Sequence, residues 1–419
     1  MADQKTTQLT ANTSPAVTDL LTITDDPSGT ASTQKIELSN LLKFINGLTE
    51  DTAPDANADY LAVYDSSAAS MKKVLLSLLR GAAGKNVLLN GGMRVAQQGT
   101  GPFTSATFFP NNDDVYMLDG VILLSNGNDV VDVSQVADTD FVSGYKIRLD
   151  VETASKRFGI LLPVENKDIQ DIRKSGVASL QFKVKCTGTS MSNVRAYLLA
   201  WNSTADSITS DVVSAWGSAG ANPTFATNWT AENTASNLSI STTIATKQIQ
   251  NITVDTSGVK NLAVLIIVDD TDATVGDYLE IGDVKLESGA TCTDFVNESY
   301  EVELGKCMRL FEVLGSTTGT EAYGVGQCAS TTRAVSTYTF AVQKRVAPTL
   351  TLSAASDWAY YNQTISAFVT WVTVSAQLSI YGAMFDVSGM AASLGGAGNA
   401  TLFGPNSTAA ARMYFDARL

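Results

Sequence analysis

The chain has 419 residues, a formal net charge of −14 and no histidine, with 44% hydrophobic and 17% charged residues. That apolar content excludes wholesale disorder, and the length fits two or three domains. The missing histidine excludes Ser-His-Asp and Cys-His catalysis within one chain, and His-ligated zinc.

No Lys/Arg cluster is longer than a pair (Lys72-Lys73, Lys344-Arg345), which argues against nucleic acid or anionic lipid as a partner. Ser, Thr, Asn, Gly and Ala fill the place of the scarce charges, a mix suited to β structure with many short turns. Met1–Thr18 is polar, without a basic and apolar leader, and the longest apolar run, Leu262–Val268, is too short to span a membrane. A protein made soluble in a cytoplasm is therefore expected. Cys186, Cys292, Cys307 and Cys328 lack any C-x-x-C spacing and read as reduced, mostly buried thiols.

Residues 1–85 contain a repeat of roughly 40 residues, a modular period. One copy runs Thr13-Ser14-Pro15, then Asp19 to Asp25 through Leu21 and Ile23. The other runs Thr52-Ala53-Pro54, then Asp59 to Asp65 through Leu61 and Val63. The alternation predicts half-buried strands, and Asp25-Asp26-Pro27-Ser28-Gly29 and Asp65-Ser66-Ser67 predict turns. Each copy then continues into Lys35–Leu42 or Lys72–Leu79. In the first, Lys35–Leu38 returns as a strand and Ser39 caps a short helix, Asn40–Ile45. Such a hairpin-plus-helix unit cannot bury its apolar side alone, so it must pack on copies in other chains or on a neighbouring protein.

Residues 86–298 read as all-β. Strand-like runs fall at Val115–Leu124, Val130–Val136, Tyr145–Val151, Phe158–Leu162, Ser179–Lys185 and Arg195–Trp201. More follow at Ile249–Val254, Leu262–Val268 and Tyr278–Leu286. Turn residues at short intervals predict a sandwich or jelly roll. The insertion Ser203–Thr242, which carries Trp216 and Trp229, reads as surface loops and edge strands.

Residues 299–419 open with Glu301–Phe311, a short helix or an extended connector. Strands are predicted at Val335–Val342, Thr349–Leu352, Ile365–Val374, Ile380–Val387 and near Ala411–Ala417. Asp357–Gln363 reads as a loop leading into a strand.

Trp358, Tyr360, Tyr361 and Trp371 form the main candidate ligand-binding set: aromatic faces stack on sugar rings, and Asn362 and Gln363 supply hydroxyl partners. The competing reading places these rings in a core or an interchain contact. Trp201, Trp216 and Trp229 form a second set with the same two readings. The acidic residues Asp113-Asp114, Asp269, Asp270, Asp272, Asp277, Glu280 and Asp283 offer oxygen ligands for calcium, or else are solvated turn residues. Gly91-Gly92 and Gly395-Gly396-Ala397-Gly398 have no phosphate-loop context and read as turn glycines.

Several of these motifs together resemble modules of phage tail-fibre and minor virion proteins. Asn90-Gly91-Gly92-Met93, Gln97-Gln98-Gly99-Thr100 and Tyr116-Met117-Leu118-Asp119-Gly120 are similar to the opening of such a module. Leu286-Glu287-Ser288-Gly289-Ala290-Thr291 and Phe295 are similar to its close. Glu303-Leu304-Gly305-Lys306-Cys307-Met308-Arg309-Leu310-Phe311 resembles the Glu-Leu-x-x-Cys-x-Arg-Tyr-Tyr element that follows. Met93 stands where the family has an aromatic residue, and Gln98 where it has arginine.

The resemblance implies a mainly β homotrimeric fibre or spike subunit. Residues 1–85 would attach it to another virion protein, 86–298 would be a jelly roll of carbohydrate-binding type, and 299–419 a C-terminal β domain and receptor-binding tip. Modules of this type often hold a structural calcium, and no other cofactor is implied. The implied role is non-enzymatic adhesion to a host surface, a glycan or a protein, by a tail or head fibre made in the bacterial cytoplasm. A head fibre, collar or connector without receptor binding is the alternative. A glycan depolymerase of the tailspike kind is the third reading; it needs two carboxylates roughly 5–10 Å apart in a groove.

Overall fold

The structure is a computed structural model. It describes residues 20–25, 32–37, 60–65, 70–75, 84–187, 190–269, 273–315, 321–362, 367–390, 393, 395–406 and 411–419. The chain divides into two compact units, Met1–Gly81 and Ala82–Leu419.

The first unit holds two antiparallel hairpins at the positions of the repeat. β1 (Leu20–Asp25) pairs with β2 (Ser32–Glu37), Leu20 opposite Glu37. β3 (Tyr60–Asp65) pairs with β4 (Ser70–Leu75), Tyr60 opposite Leu75. The short helix expected at Asn40–Ile45 lies outside the described residues.

The second unit is mainly β, as the alternation predicts, and begins with a sandwich. One sheet has five strands: β7 (Val131–Ala137), β8 (Tyr145–Val151), β10 (Val177–Cys186), β16 (Ala245–Thr253) and β18 (Tyr278–Ser288), in the order β16-β10-β18-β8-β7. The other is built on β5 (Val115–Leu118), β6 (Val121–Ser125), β9 (Phe158–Val164), β11 (Asn193–Trp201) and β17 (Asn261–Val268), in the order β11-β17-β9-β6-β5. The single strand expected over Val115–Leu124 is a hairpin, because Gly120 turns the chain at φ 72°.

β17 is buried at every position, and its two faces go to two different cores. Leu262, Val264, Ile266 and Val268 pack inside the sandwich. Ala263, Leu265 and Ile267 pack outward with Trp201, Trp216 and Trp229. Strands apolar on both faces need cover on both faces. The insertion supplies it. It was expected at the surface. Its β12 (Val213–Ala215) and β13 (Thr224–Phe225) pair with each other, and its edge pieces β14 (Trp229–Ala231) and β15 (Leu238–Ser239) do pair with β11, but its tryptophans form a third layer over the sheet. That layer is tied down by charge. The fully buried Arg157 donates to the carbonyls of Trp216 and Ala221 and, at 3.1 Å, to Asp269. Arg195 Nε lies 2.6 Å from the same carboxylate and its NH2 donates to Gly220 O at 2.6 Å.

The Asn-Gly-Gly motif is structural. Asn90, at φ 53°, donates to the carbonyls of Val95 and Asp119 and accepts from Val95 N. A Cβ at Gly91 would stand 2.1 Å from Val284 O. Asp119 in turn accepts from Gln97, whose side chain also reaches Phe311 O at 2.6 Å.

The segment at 301–311 resolves as the helix Tyr300–Leu310, which runs straight into β19 (Phe311–Gly315). A second sandwich follows. β19 joins β22 (Thr349–Leu352) and β28 (Arg412–Asp416) in the order β19-β28-β22. The facing sheet has seven strands, ordered β24-β23-β27-β20-β21-β26-β25. They are β20 (Gly324–Ser330), β21 (Arg333–Thr339), β23 (Trp358–Asn362), β24 (Ala367–Thr370), β25 (Thr373–Leu378), β26 (Gly382–Ser388) and β27 (Ala400–Pro405). Two expectations change here: Trp358–Asn362 is a strand and not a loop, and the run Ile365–Val374 breaks into β24 and β25 at Trp371-Val372. The two sandwiches meet through Arg309 on Glu165 at 2.7 Å, Arg345 on Asp206 O at 3.1 Å, and Phe109 edge-on to Tyr414.

Candidate functional site

β23 divides the aromatic set predicted from the sequence. Side chains alternate across a strand, so Trp358 and Tyr360 point one way and Tyr361 the other. Trp358 is 0% exposed and stacks on Phe403 at 5.4 Å, and Tyr360 and Trp371 join the same core. The Tyr360 hydroxyl is paired with Ser336 Oγ at 2.6 Å, and burial raises its pKa far above the usual range. These three rings offer no face to a sugar: they are core residues, because the inner face of a two-layer domain must be filled. Trp201, Trp216 and Trp229 are likewise buried, where the insertion packs on the sheet.

Tyr361 is the member of the set that faces outward, half-buried. Register puts it between Phe368 on β24 and Leu402 on β27, and Leu402 opposite Val325 on β20. The result is an apolar row across four adjacent strands: Phe368 is 45% exposed, Leu402 42% and Val325 69%. The Tyr361 and Phe368 rings lie 5.1 Å apart, tilted by 51°. Beside them is a hollow of about 130 Å³ lined also by Glu321, whose carboxylate accepts from the Tyr323 hydroxyl at 2.6 Å. Tilted aromatic faces suit the C–H face of a pyranose ring. Phe368, Leu402 and Val325 were not singled out in the sequence. The period-2 alternation of 358–361 was the signal that separates inner from outer rings. The Asn362 side chain and Gln363 lie outside the described residues.

The acidic candidates do not converge. Asp269 is shared by Arg157 and Arg195. Asp277 accepts from Thr274 N at 2.9 Å and from Ser190 Oγ. Glu280 lies among Lys146, Lys185 and Arg148, at 2.7, 3.3 and 3.6 Å. Asp283 accepts from the backbone of Val142 and Ser143. Asp113 accepts from Ser125 N at 2.7 Å. Asp270 and Asp272 lie outside the described residues. Among the described residues no three Asp, Glu or Cys side chains are grouped as a metal site. Burial pushes the Cys292 thiol up to about 11, which leaves it little thiolate.

The outer face of the five-stranded sheet is a second polar array. Around Glu280, Lys146 also bonds Asp138 at 2.6 Å, which holds that carboxyl at about 2, and the Arg148 guanidinium lies 3.6 Å from the centre of the Tyr278 ring. Donors and acceptors are fixed there by each other.

No protein-family model matches the chain, and no curated protein matches it. Several solved structures are similar in part. A tailspike domain of bacteriophage CBA120 is 13% identical, over 49% of this chain and 21% of that one, with a TM-score of 0.29. TmCBM61, solved with β-1,4-galactotriose, is 15% identical over 49% and 99%, with a TM-score of 0.26. The tandem CBM22 domains of Paenibacillus barcinonensis Xyn10C are 8% identical over 80% and 96%, with a TM-score of 0.26. At these scores the likenesses carry no argument about what this chain binds, and the functional reading rests on its own residues.

Proposed function

We propose that the chain is a subunit of a trimeric bacteriophage fibre or spike that adheres to a host surface glycan through its C-terminal β domain. The observation that carries the reading is the open row Phe368-Tyr361-Leu402-Val325 beside the Glu321 hollow. The paired N-terminal hairpins, too small to be stable alone, support attachment of residues 1–85 to another virion protein or to sister chains. A non-catalytic role is supported by the lack of histidine and by the hollow's lining, in which Glu321 is the one carboxylate among the described residues. A glycosidase needs a second.

A structural fibre, collar or connector without receptor binding is the second reading. It is favoured by the aliphatic half of the row, since Leu402 and Val325 suit a contact between chains as well as a sugar.

The test uses the full chain. Its mass in solution is measured by sedimentation, and its binding to an array of bacterial surface polysaccharides is compared with that of Tyr361→Ala and Phe368→Ala. A trimer that binds, with binding lost in both variants, supports adhesion. A trimer that binds no glycan supports the structural reading. A stable monomer refutes both.

A further inference from the structure

A cleft of different chemistry lies where the helix Tyr300–Leu310 meets the first sandwich. Its inner hollow is about 110 Å³, and an adjoining one of about 210 Å³ shares Lys85, Asn86, Leu88 and Lys306 with it. The inner floor is apolar, formed by Leu88, Val164 and Leu310 among others. Its rim carries the cationic side chains Lys85, Lys167, Lys306, Arg309 and Arg418 beside Glu165 and Asp168, and Glu298 and Glu303 line the adjoining hollow. Lys167 is paired with Asp168 and Glu165, and Arg418 with Asp416, so those charges are already met inside the protein.

The cations are not equivalent. Arg309 is held by both oxygens of Glu165, a carboxylate almost wholly buried, so it is a fixed part of the wall. Lys85 is 67% exposed and 3.9 Å from Asp168, and Lys306 is about half exposed and paired with the equally exposed Glu298. Surface pairs of this kind are worth little, so a ligand's acid can replace those carboxylates at small cost. The site thus offers two adjustable ammonium groups above a hydrophobic floor.

We propose that this cleft binds a small anionic sugar, with Lys85 and Lys306 taking the acidic group and the Leu88–Leu310 floor covering one face of the ring. The inference does not rest on the aromatic row. It adds an acidic residue to the chemistry of any surface glycan the chain meets. A free hexuronate and a uronate within a polysaccharide present the same group, and both are tested.

Calorimetric titration of the full chain with glucuronate, glucose and inorganic phosphate, and with a uronate-containing oligosaccharide, decides the matter. Glucuronate is expected to bind, with glucose and phosphate much weaker. The Lys85→Gln/Lys306→Gln double variant should weaken glucuronate by roughly tenfold. Tyr361→Ala should leave it unchanged, so that failure of the aromatic row and failure of the cleft are separable. If the oligosaccharide binds and free glucuronate does not, while the double variant still abolishes binding, the site reads polymer. Equal binding of glucose, equal binding of phosphate, or no response to the double variant overturns the proposal. Unchanged thermal melting of the double variant, whose side chains are exposed, verifies that its fold is intact.

Discussion

Removing the carboxylate of Asp269 should cost more stability than any other single charge change in the first sandwich. Asp269 is 1% exposed and is the counter-charge for Arg157, 0% exposed, and for Arg195. Asp269→Leu keeps the branching at Cγ but leaves two buried guanidinium groups facing hydrocarbon. Loss of one partner from a buried pair costs about 3–5 kcal/mol. With a urea dependence of roughly 3 kcal/mol per molar, the unfolding midpoint should fall by about 1–1.7 M. Trp216 and Trp229 sit in the layer that these arginines hold, so their fluorescence reports its release. The partner test is Arg157→Met with Asp269→Leu, which should recover a good part of the loss because the orphaned charge is removed too. A shift of less than about 0.2 M for Asp269→Leu, within the usual range of a surface change, would refute the claim that the insertion is pinned electrostatically.

Trp358→Ala should destabilise the C-terminal domain by about 3–5 kcal/mol, read by thermal unfolding, while Tyr361→Ala changes stability little and binding much. Gly159→Ala should be poorly tolerated, because its Cβ would stand 2.0 Å from Ile266 O on the paired strand β17; a melting temperature equal to the parent's would contradict that close approach. Burial, then the charge of Asp113 and Asp211, pushes Asp114 up to about 7. Its folded pKa lies above its unfolded one, so its contribution to stability is greatest at low pH and is lost as pH rises from about 4 through about 7. Asp114→Asn, which also tolerates the positive φ of that residue, should therefore raise the melting temperature at pH 8 and leave it almost unchanged at pH 4.

Much of the strand layout is legible because alternation is a local signal: Tyr145–Val151 and Thr349–Leu352 carry it undisturbed and fold where it says. What escapes the sequence is which face a residue takes once a third layer is present. Leu262–Val268 has no alternation, and from the run alone nothing indicates that Ser203–Thr242 will cover its second face. At Trp358–Tyr361 the reverse holds. The ring content drew attention, but only the strand period separates Tyr361 from the three buried rings. Phe368 reaches Tyr361 through the next strand along, but Val325 became part of the candidate site by pairing with Leu402, distant in sequence, which no single segment encodes.

The last strand of the C-terminal domain is not at an edge. β28 lies between β19 and β22, opposite Phe311–Gly315 on one side and Thr349–Leu352 on the other. The first strand of the domain therefore waits for the last. During synthesis, nearly every residue of the domain has left the ribosome before its smaller sheet can close, and the aromatic core stays open on that side until Met413 and Phe415 arrive. A product that stops short of residue 411 lacks the middle of a sheet and not a dispensable tail.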